Sequence, residues 1–164
     1  MRKVLATILS VALMILILPI GAFDITAYAE IIDSGECFEY MIWSLDDEGT
    51  LTISAVSGQA YMPDYTSTNM PWYHLRDSIK SIVIEEGVVS IGTWAFFKCT
   101  NLTNITLSNS VIKIGDYSFH SCSALDSIDI PNGITSIGRS AFANCTNLNT
   151  ITFSDSITEI KTDA

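Results

Sequence analysis

A 23-residue period is the feature that most constrains how this 164-residue chain folds. Three residue types keep that spacing: Cys99, Cys122 and Cys145; Gly92, Gly115 and Gly138; Phe96, Phe119 and Phe142. A fixed period of this length indicates a repeat architecture in which each unit stacks on its neighbour. The units begin at residues 79, 102, 125 and 148, and the fourth reaches only its seventeenth position. Residues 79–164 therefore contain three full repeats and one truncated repeat.

Each unit carries the alternation of a strand with one buried face. Unit positions 4 and 6 are apolar, and position 5 between them faces the other way. A second apolar pair follows at positions 10 and 13, then a glycine that we expect to turn the chain. The Ala/Ser-Phe pair and the later cysteine predict a short helical turn or a bent segment. No single unit can bury these side chains alone, so the pattern predicts a β-rich solenoid with one parallel strand per repeat.

The segment before the repeats is predicted to cover the open end of the solenoid. Residues 40–55 read as a β-hairpin whose turn is Asp46-Asp47-Glu48-Gly49. Without a cap, Ile82 and Ile84 of the first repeat would face water, and solenoids require capped ends for solubility. We therefore expect a β-rich capping segment at residues 30–78.

The first 29 residues have the pattern of a signal peptide. Arg2 and Lys3 precede an apolar stretch, and Ala27-Tyr28-Ala29 provides the small residues that a signal peptidase reads. Cleavage before Glu30 would give a secreted or cell-surface protein. The alternative is a retained membrane anchor, because the apolar stretch approaches the roughly 20 residues that span a bilayer.

The repeat resembles a known family. Residues 125–145, LDSIDIPNGITSIGRSAFANC, are similar to the BspA-type leucine-rich repeat of bacterial surface antigens and some protist surface proteins. Residues 43–54, WSLDDEGTLTIS, with Met62–Tyr65 and Pro71–Tyr73, resemble the segment that often precedes such repeats. The resemblance implies a leucine-rich solenoid with a non-catalytic role in adhesion or protein binding at the cell surface. A non-catalytic repeat arm of a larger secreted enzyme is the alternative.

The outward positions of the repeat strands form the candidate ligand-binding surface. A flat ladder of hydroxyl and amide groups suits many weak hydrogen bonds with a protein or a glycan, although an ordinary solvated sheet face has the same composition. Positions 3 and 5 carry Ser81, Val83, Asn104, Thr106, Ser127, Asp129, Thr150 and Thr152. Trp94 and Tyr117 share position 16 and suggest a second contact stripe, because aromatic residues favour interfaces.

Several other functions are not expected. A formal charge of −10 disfavours nucleic acid and anionic lipid as partners, so no membrane contact is predicted apart from the signal segment. The strand face has no basic residue, and hydroxyls without an adjacent general base are not nucleophiles. Lyase chemistry, known on other solenoids, is therefore not predicted, and neither is any cofactor.

Neither the acidic turn nor the histidines predict a metal site. Asp46, Asp47 and Glu48 are contiguous, whereas a calcium loop places its ligands at alternate positions, so a solvated turn is favoured. His74 and His120 lie far apart, and the chain has no CxxC motif. Cys99, Cys122 and Cys145 share one repeat position, which favours a ladder of buried free thiols. One disulfide or a metal site remains the alternative for these cysteines.

Overall fold

The computed structural model describes residues 29–164, so the predicted signal peptide lies almost entirely outside the described residues. A 3-10 helix spans Tyr73–Ser78. The strands in chain order are β1 (Ile31–Phe38), β2 (Met41–Asp46), β3 (Thr50–Ala55), β4 (Ala60–Tyr61), β5 (Ser81–Ile84), β6 (Val88–Ile91), β7 (Asn104–Leu107), β8 (Lys113–Ile114), β9 (Ser127–Asp129), β10 (Ser136–Ile137), β11 (Thr150–Thr152) and β12 (Glu159–Ile160).

The N-terminal region is antiparallel, as predicted, and larger than a hairpin. Strands β2 and β3 form the expected pair, and β1 adds a third antiparallel strand at the outer edge. The carboxylate of Asp46 shapes the β2–β3 turn, because its Oδ1 accepts the backbone N–H groups of Glu48 and Thr50 at 3.1 and 2.7 Å. The acidic turn therefore uses one of its carboxylates to organise its own backbone.

The repeats build two parallel sheets on different sides of the coil. The first sheet has the order β1-β2-β3-β5-β7, and β9 and β11 form a separate parallel pair farther along the stack. The second sheet has the order β4-β6-β8-β10-β12 and is parallel throughout. Each repeat contributes one strand to each side, and strand β3 of the cap joins β5 in parallel. The structure confirms the predicted β-rich solenoid with a parallel strand in each repeat.

The phenylalanines form one continuous column inside the coil. Phe96 and Phe119 stack with ring centroids 5.2 Å apart, and Phe119 and Phe142 stack at 5.4 Å with planes 3° from parallel. Trp72 occupies the first level of this column, 5.5 Å from Phe96. Phe96 and Phe119 have no exposed surface. The 23-residue period therefore corresponds to vertical register between successive coils.

The repeated glycines are required by close approach of neighbouring coils. A Cβ atom on Gly115 would lie 2.7 Å from the carbonyl carbon of Gly92, and one on Gly138 would lie 2.5 Å from the carbonyl carbon of Gly115. None of these three glycines has a positive φ. The chain turns directly after each of these glycines, as expected. Glycine is needed at these positions because a side chain would clash where two backbones meet.

The segment after each glycine is bent and forms no helix. Its backbone N–H groups at unit positions 16, 18 and 20 reach carbonyls of the next coil, as Trp94, Phe96 and Lys98 do at 2.8–3.1 Å. Positions 16 and 20 hold the left-handed conformation, with φ of 60° at Trp94 and 58° at Lys98. This third side therefore links the coils by hydrogen bonds without being a sheet.

Burial decreases toward the end of the stack. Ile82 and Ile84 of the first repeat are almost fully buried, whereas Phe153 and Ile160 of the fourth are 50% and 57% exposed. Ile151 and Ile157 are half-buried and pack against the core. Each coil is covered by the next, and no coil in the structure covers the fourth one. A small apolar pocket lies there, lined by Ile137, Phe142, Ile151, Phe153, Ile160 and Ala164.

Candidate functional site

The strand face predicted from sequence is assembled by parallel pairing. Ser81 pairs with Asn104 and Val83 with Thr106 across β5 and β7. The same rows recur across β9 and β11, where Ser127 pairs with Thr150 and Asp129 with Thr152. Ser81 and Val83 are half-buried, and the other six side chains are exposed. We call these eight residues the strand face.

The strand face consists of two halves that do not share one backbone ladder. Strands β7 and β9 come close to each other, but the two are not paired by backbone hydrogen bonds. At the same place Ile105 and Leu107 are only half-buried, whereas the equivalent residues Ile128 and Ile130 of the next repeat are buried. On this side of the coil, the second and third repeats are therefore less tightly joined than the first and second or the third and fourth.

The N-terminal antiparallel region extends the strand face, and the sequence interpretation missed this. Thr50 pairs with Ser81 and Thr52 with Val83, while Ser44 of β2 pairs with Thr52. Thr50 therefore continues the row of Ser81 by one strand, and Thr52 and Ser44 continue the row of Val83 by two strands. The signal was present in the sequence, because Thr50-Leu-Thr52 has the same alternation as Thr150-Ile-Thr152.

Hydroxyl groups elsewhere on the coil are used to join successive coils. These hydroxyls donate hydrogen bonds to backbone carbonyls 22 or 23 residues earlier. Ser110 donates to Val88 and Ser156 to Ile134, both at 2.8 Å. The residues that do this are Thr103, Ser108, Ser110, Ser123, Thr135, Ser154, Ser156 and Thr158. These side chains act as structural links between coils.

The threonines of the strand face are not used in this way. Within residues 29–164, the side chains of Thr106, Thr150 and Thr152 make no hydrogen bond to the protein. Asn104 and Ser127 reach only their sequence neighbours, Thr103 and Asp126. The threonine hydroxyls of this surface therefore keep their full hydrogen-bonding capacity for water or a ligand.

The charge near the strand face is negative. Asp129 lies on the face beside Thr152, and Glu85 lies at its margin, where its Oε2 accepts a 2.6 Å hydrogen bond from Ser54 Oγ. No lysine or arginine occupies unit positions 3, 5 or 7. Coulomb attraction therefore favours a neutral or basic partner on this surface over an acidic one.

The repeat cysteines serve packing. The Sγ atoms of Cys122 and Cys145 each lie 3.2 Å from a carbonyl oxygen of the preceding coil, on Phe96 and Phe119, and the thiols donate to them. Cys37 and the three repeat cysteines are free thiols. Burial raises the pKa of the Cys99 thiol to about 12, which keeps it protonated and unreactive at neutral pH.

No clustered ligand set for a metal was found in the part of the chain that the structure describes. His74 pairs with Asp33 at 3.1 Å on the cap surface. His120 lies far from it on the third side of the coil, among aromatic rings. The two histidines therefore belong to separate environments.

A cluster of aromatic side chains lies on the bent side of the coil. Trp94 and Tyr117 stack with centroids 4.3 Å apart and planes 4° from parallel, and the ring of Phe97 meets Trp94 edge-on at 4.7 Å. His120 lies within 6.1 Å of all three rings. All four side chains are half-buried. We call Trp94, Phe97, Tyr117 and His120 the aromatic patch.

A bilayer-spanning helix, judged by length and hydrophobicity, does not occur among residues 29–164. A search of curated proteins found none that matches this chain. Solved structures of leucine-rich-repeat proteins do match it. A protein from Eubacterium ventriosum shares 29% identity with a TM-score of 0.63, over 79% of this chain and 40% of that one.

Two further solved structures share the fold. The leucine-rich-repeat protein of T. pallidum matches with 23% identity and a TM-score of 0.53, over 74% of this chain and 62% of that one. One from Bacteroides ovatus matches with 24% identity and a TM-score of 0.53, over 68% of this chain and 32% of that one. The present chain spans less than two thirds of each of these three proteins.

The family model described as the BspA type leucine-rich-repeat region matches residues 70–164, which is more than half of the chain. The match begins before the first complete repeat, near Trp72, which the structure places at the first level of the phenylalanine column. Sequence pattern, coil geometry and family model agree. The chain belongs to the BspA-type leucine-rich-repeat family.

Proposed function

We propose that the chain is a non-catalytic binding or adhesion module of the cell exterior, and that the strand face contacts its protein or glycan ligand. The observation that carries this proposal is the division of the hydroxyl groups. Eight hydroxyl groups outside the face link coil to coil, whereas the hydroxyls of Thr106, Thr150 and Thr152 on the face make no hydrogen bond to the protein among residues 29–164. A surface that keeps a flat array of unsatisfied donors and acceptors can exchange water for a ligand at little structural cost.

The proposed face includes the cap. Thr50 and Thr52 extend the rows of Ser81 and Val83, so a ligand lying along the stack would meet the cap and the repeats together. Acidic groups beside these rows favour a neutral or basic ligand. Large ligands suit such a surface, because protein interfaces bury about 800 Å² on each partner.

The proposed location rests on the sequence. We propose that residues 1–29 are a signal peptide, that residues 30–78 cap the solenoid, and that residues 79–164 form its repeats. Export would place the strand face outside the cell, where an adhesion module acts. Catalysis is not part of the proposal, because the strand face carries no histidine, lysine or arginine that could activate a hydroxyl or stabilise a developing negative charge.

The test is a binding experiment with paired variants. The full chain is immobilised and probed with an array of extracellular-matrix proteins and glycans, and its strongest ligand is then measured against a Thr106→Lys, Thr152→Lys double variant. Two long cations on the face should reduce affinity at least tenfold, by displacing the ligand from the sheet. A Thr146→Lys variant is the control, because Thr146 is exposed but lies outside the strand face.

Equal binding by the parent and the double variant would show that the ligand uses another surface. An equal loss of affinity in the double variant and in Thr146→Lys would show that added positive charge alone weakens binding. That result would also contradict the proposed face.

A further inference from the structure

The aromatic patch breaks a local backbone rule. Trp94 and Tyr117 have φ of 60° and 56°, in the left-handed region that large side chains rarely adopt. The same unit position holds Ser140 in the third repeat and Asp163 in the fourth, and small polar residues of this kind fit that region better. Two bulky rings at a costly position are a sign of selection for something other than stability.

Two cations without ion-pair partners among the described residues lie beside the patch. Lys98 Nζ lies 5.2 Å from the Phe97 ring centroid, and the guanidinium carbon of Arg139 lies 5.9 Å from that of Tyr117. Both side chains are exposed, and neither forms an ion pair within residues 29–164. The nearby Asp116 carboxylate is already occupied by the backbone N–H of Arg139 and by Lys161 Nζ, at 2.9 and 3.5 Å.

The geometry points to an anionic ligand at this place. The stack of Trp94 on Tyr117 covers one face of each ring and leaves ring edges, the indole N–H and the phenol O–H for a ligand. Ring edges carry the positive end of the aromatic quadrupole. With Lys98 and Arg139 beside them, these groups complement carboxylates, on a chain whose overall charge of −10 repels anions elsewhere.

A polysaccharide fits the patch better than a peptide does. Peptide recognition commonly uses a free sheet edge, an apolar groove or a polyproline groove. Here the backbone N–H groups of Trp94, Phe96 and Lys98 are already bonded to the next coil, so no strand can be added. Four rings and two cations are also far fewer than the 20–30 residues of a protein interface.

We propose that the aromatic patch, with Lys98 and Arg139, binds a carboxylated polysaccharide. This site is separate from the strand face and independent of its proposed function. The indole and phenol groups would hydrogen-bond sugar hydroxyls, and the two cations would pair with carboxylates along the polymer.

The experiment uses the full chain in affinity electrophoresis with polygalacturonate in the gel. The fully methyl-esterified form of the same polymer is the neutral control. We expect polygalacturonate to retard the chain. The affinity of the chain for the ester should be at least tenfold lower than for polygalacturonate. A Lys98→Glu, Arg139→Glu double variant should lose at least tenfold in affinity, whereas Lys80→Glu, an exposed cation outside the patch, should change affinity less than threefold.

A Trp94→Asn, Tyr117→Asn double variant separates binding from folding. Asparagine tolerates the left-handed conformation, so the unfolding temperature should stay level or rise while affinity for polygalacturonate falls at least tenfold. Retained binding in this variant would overturn the site. Failure of polygalacturonate to retard the parent chain would also overturn the site. Retardation by poly-L-glutamate as strong as by polygalacturonate would show that the ligand class is wrong.

Discussion

The indole ring of Trp72 stacks on Phe96 with centroids 5.5 Å apart and planes 19° from parallel, and its Nε1–H donates a 2.8 Å hydrogen bond to the carbonyl of Ala95. Trp72, which precedes the first complete repeat, thus takes the place of one more phenylalanine in the column. Trp43 and Tyr65 pack edge-on against the same indole. The cap is therefore joined to the repeats through a shared aromatic column as well as through β3.

The column predicts a large stability cost for a central truncation. Phe119 is fully buried between Phe96 and Phe142, so Phe119→Ala should lower the free energy of unfolding by about 3–5 kcal/mol. Phe153→Ala is the control, because Phe153 is 50% exposed and its truncation removes fewer contacts. Urea denaturation measures both, and equal losses would contradict a continuous buried column.

Ser118 offers a stabilising substitution. Its hydroxyl is fully buried and has no hydrogen-bond partner among the described residues, at the unit position that holds Ala95 and Ala141. Ser118→Ala removes an unsatisfied polar group and should raise the free energy of unfolding by about 1 kcal/mol. A lower denaturation midpoint would show that the hydroxyl has a partner that the structure lacks.

The glycine positions should differ in their tolerance of alanine. Gly58 has φ of 63° with no atom near its missing Cβ, so Gly58→Ala should cost only the backbone strain of about 1–2 kcal/mol. Gly115→Ala should cost more, because backbone atoms of the preceding coil lie 2.7 Å from the added carbon. Thermal unfolding of both variants makes the comparison. A milder effect at Gly115 would mean that the coils are farther apart than described.

Asp64 should link stability to pH. Its Oδ1 accepts the backbone N–H of Thr93 at 2.7 Å, and hydrogen bonding to Thr93 lowers the pKa of the Asp64 carboxyl below its ordinary value. Its contribution is therefore complete above the unfolded-state pKa of about 3.9 and is lost as pH falls through the lower folded-state value.

An Asp64→Asn variant should accordingly be less stable than the parent by a constant margin from pH 7 to pH 5. The margin should narrow below about pH 4, as the parent carboxylate becomes protonated. Urea denaturation across this range measures it. A margin that widens on acidification would contradict the lowered pKa.

The repeat architecture could be predicted from sequence because the period is carried by side chains with one structural role each. Phe96, Phe119 and Phe142 had to share a column, and alternation at positions 4 and 6 had to give a strand. The cause of the glycine repeat could not be predicted, because it depends on the distance between two backbones that no single unit contains.

The candidate site was predictable only in part. Strand alternation identified outward side chains such as Thr106 and Thr152, but it did not reveal that β3 pairs with β5 and adds Thr50 and Thr52. Likewise, Trp94 and Tyr117 share a repeat position in the sequence, whereas their left-handed backbone and the closeness of Phe97, Lys98 and Arg139 appear only in three dimensions. Contacts between coils determine the extent of the strand face and the composition of the aromatic patch.

The register of the coils is the claim on which both proposed surfaces depend, and ring-to-ring nuclear Overhauser effects measure it directly. With phenylalanine rings selectively labelled, cross-peaks are expected from Phe119 to Phe96 and to Phe142, at centroid distances of 5.2 and 5.4 Å. No direct cross-peak is expected between Phe96 and Phe142, which lie on either side of Phe119. Absence of both Phe119 cross-peaks in the folded chain would contradict the stacked solenoid.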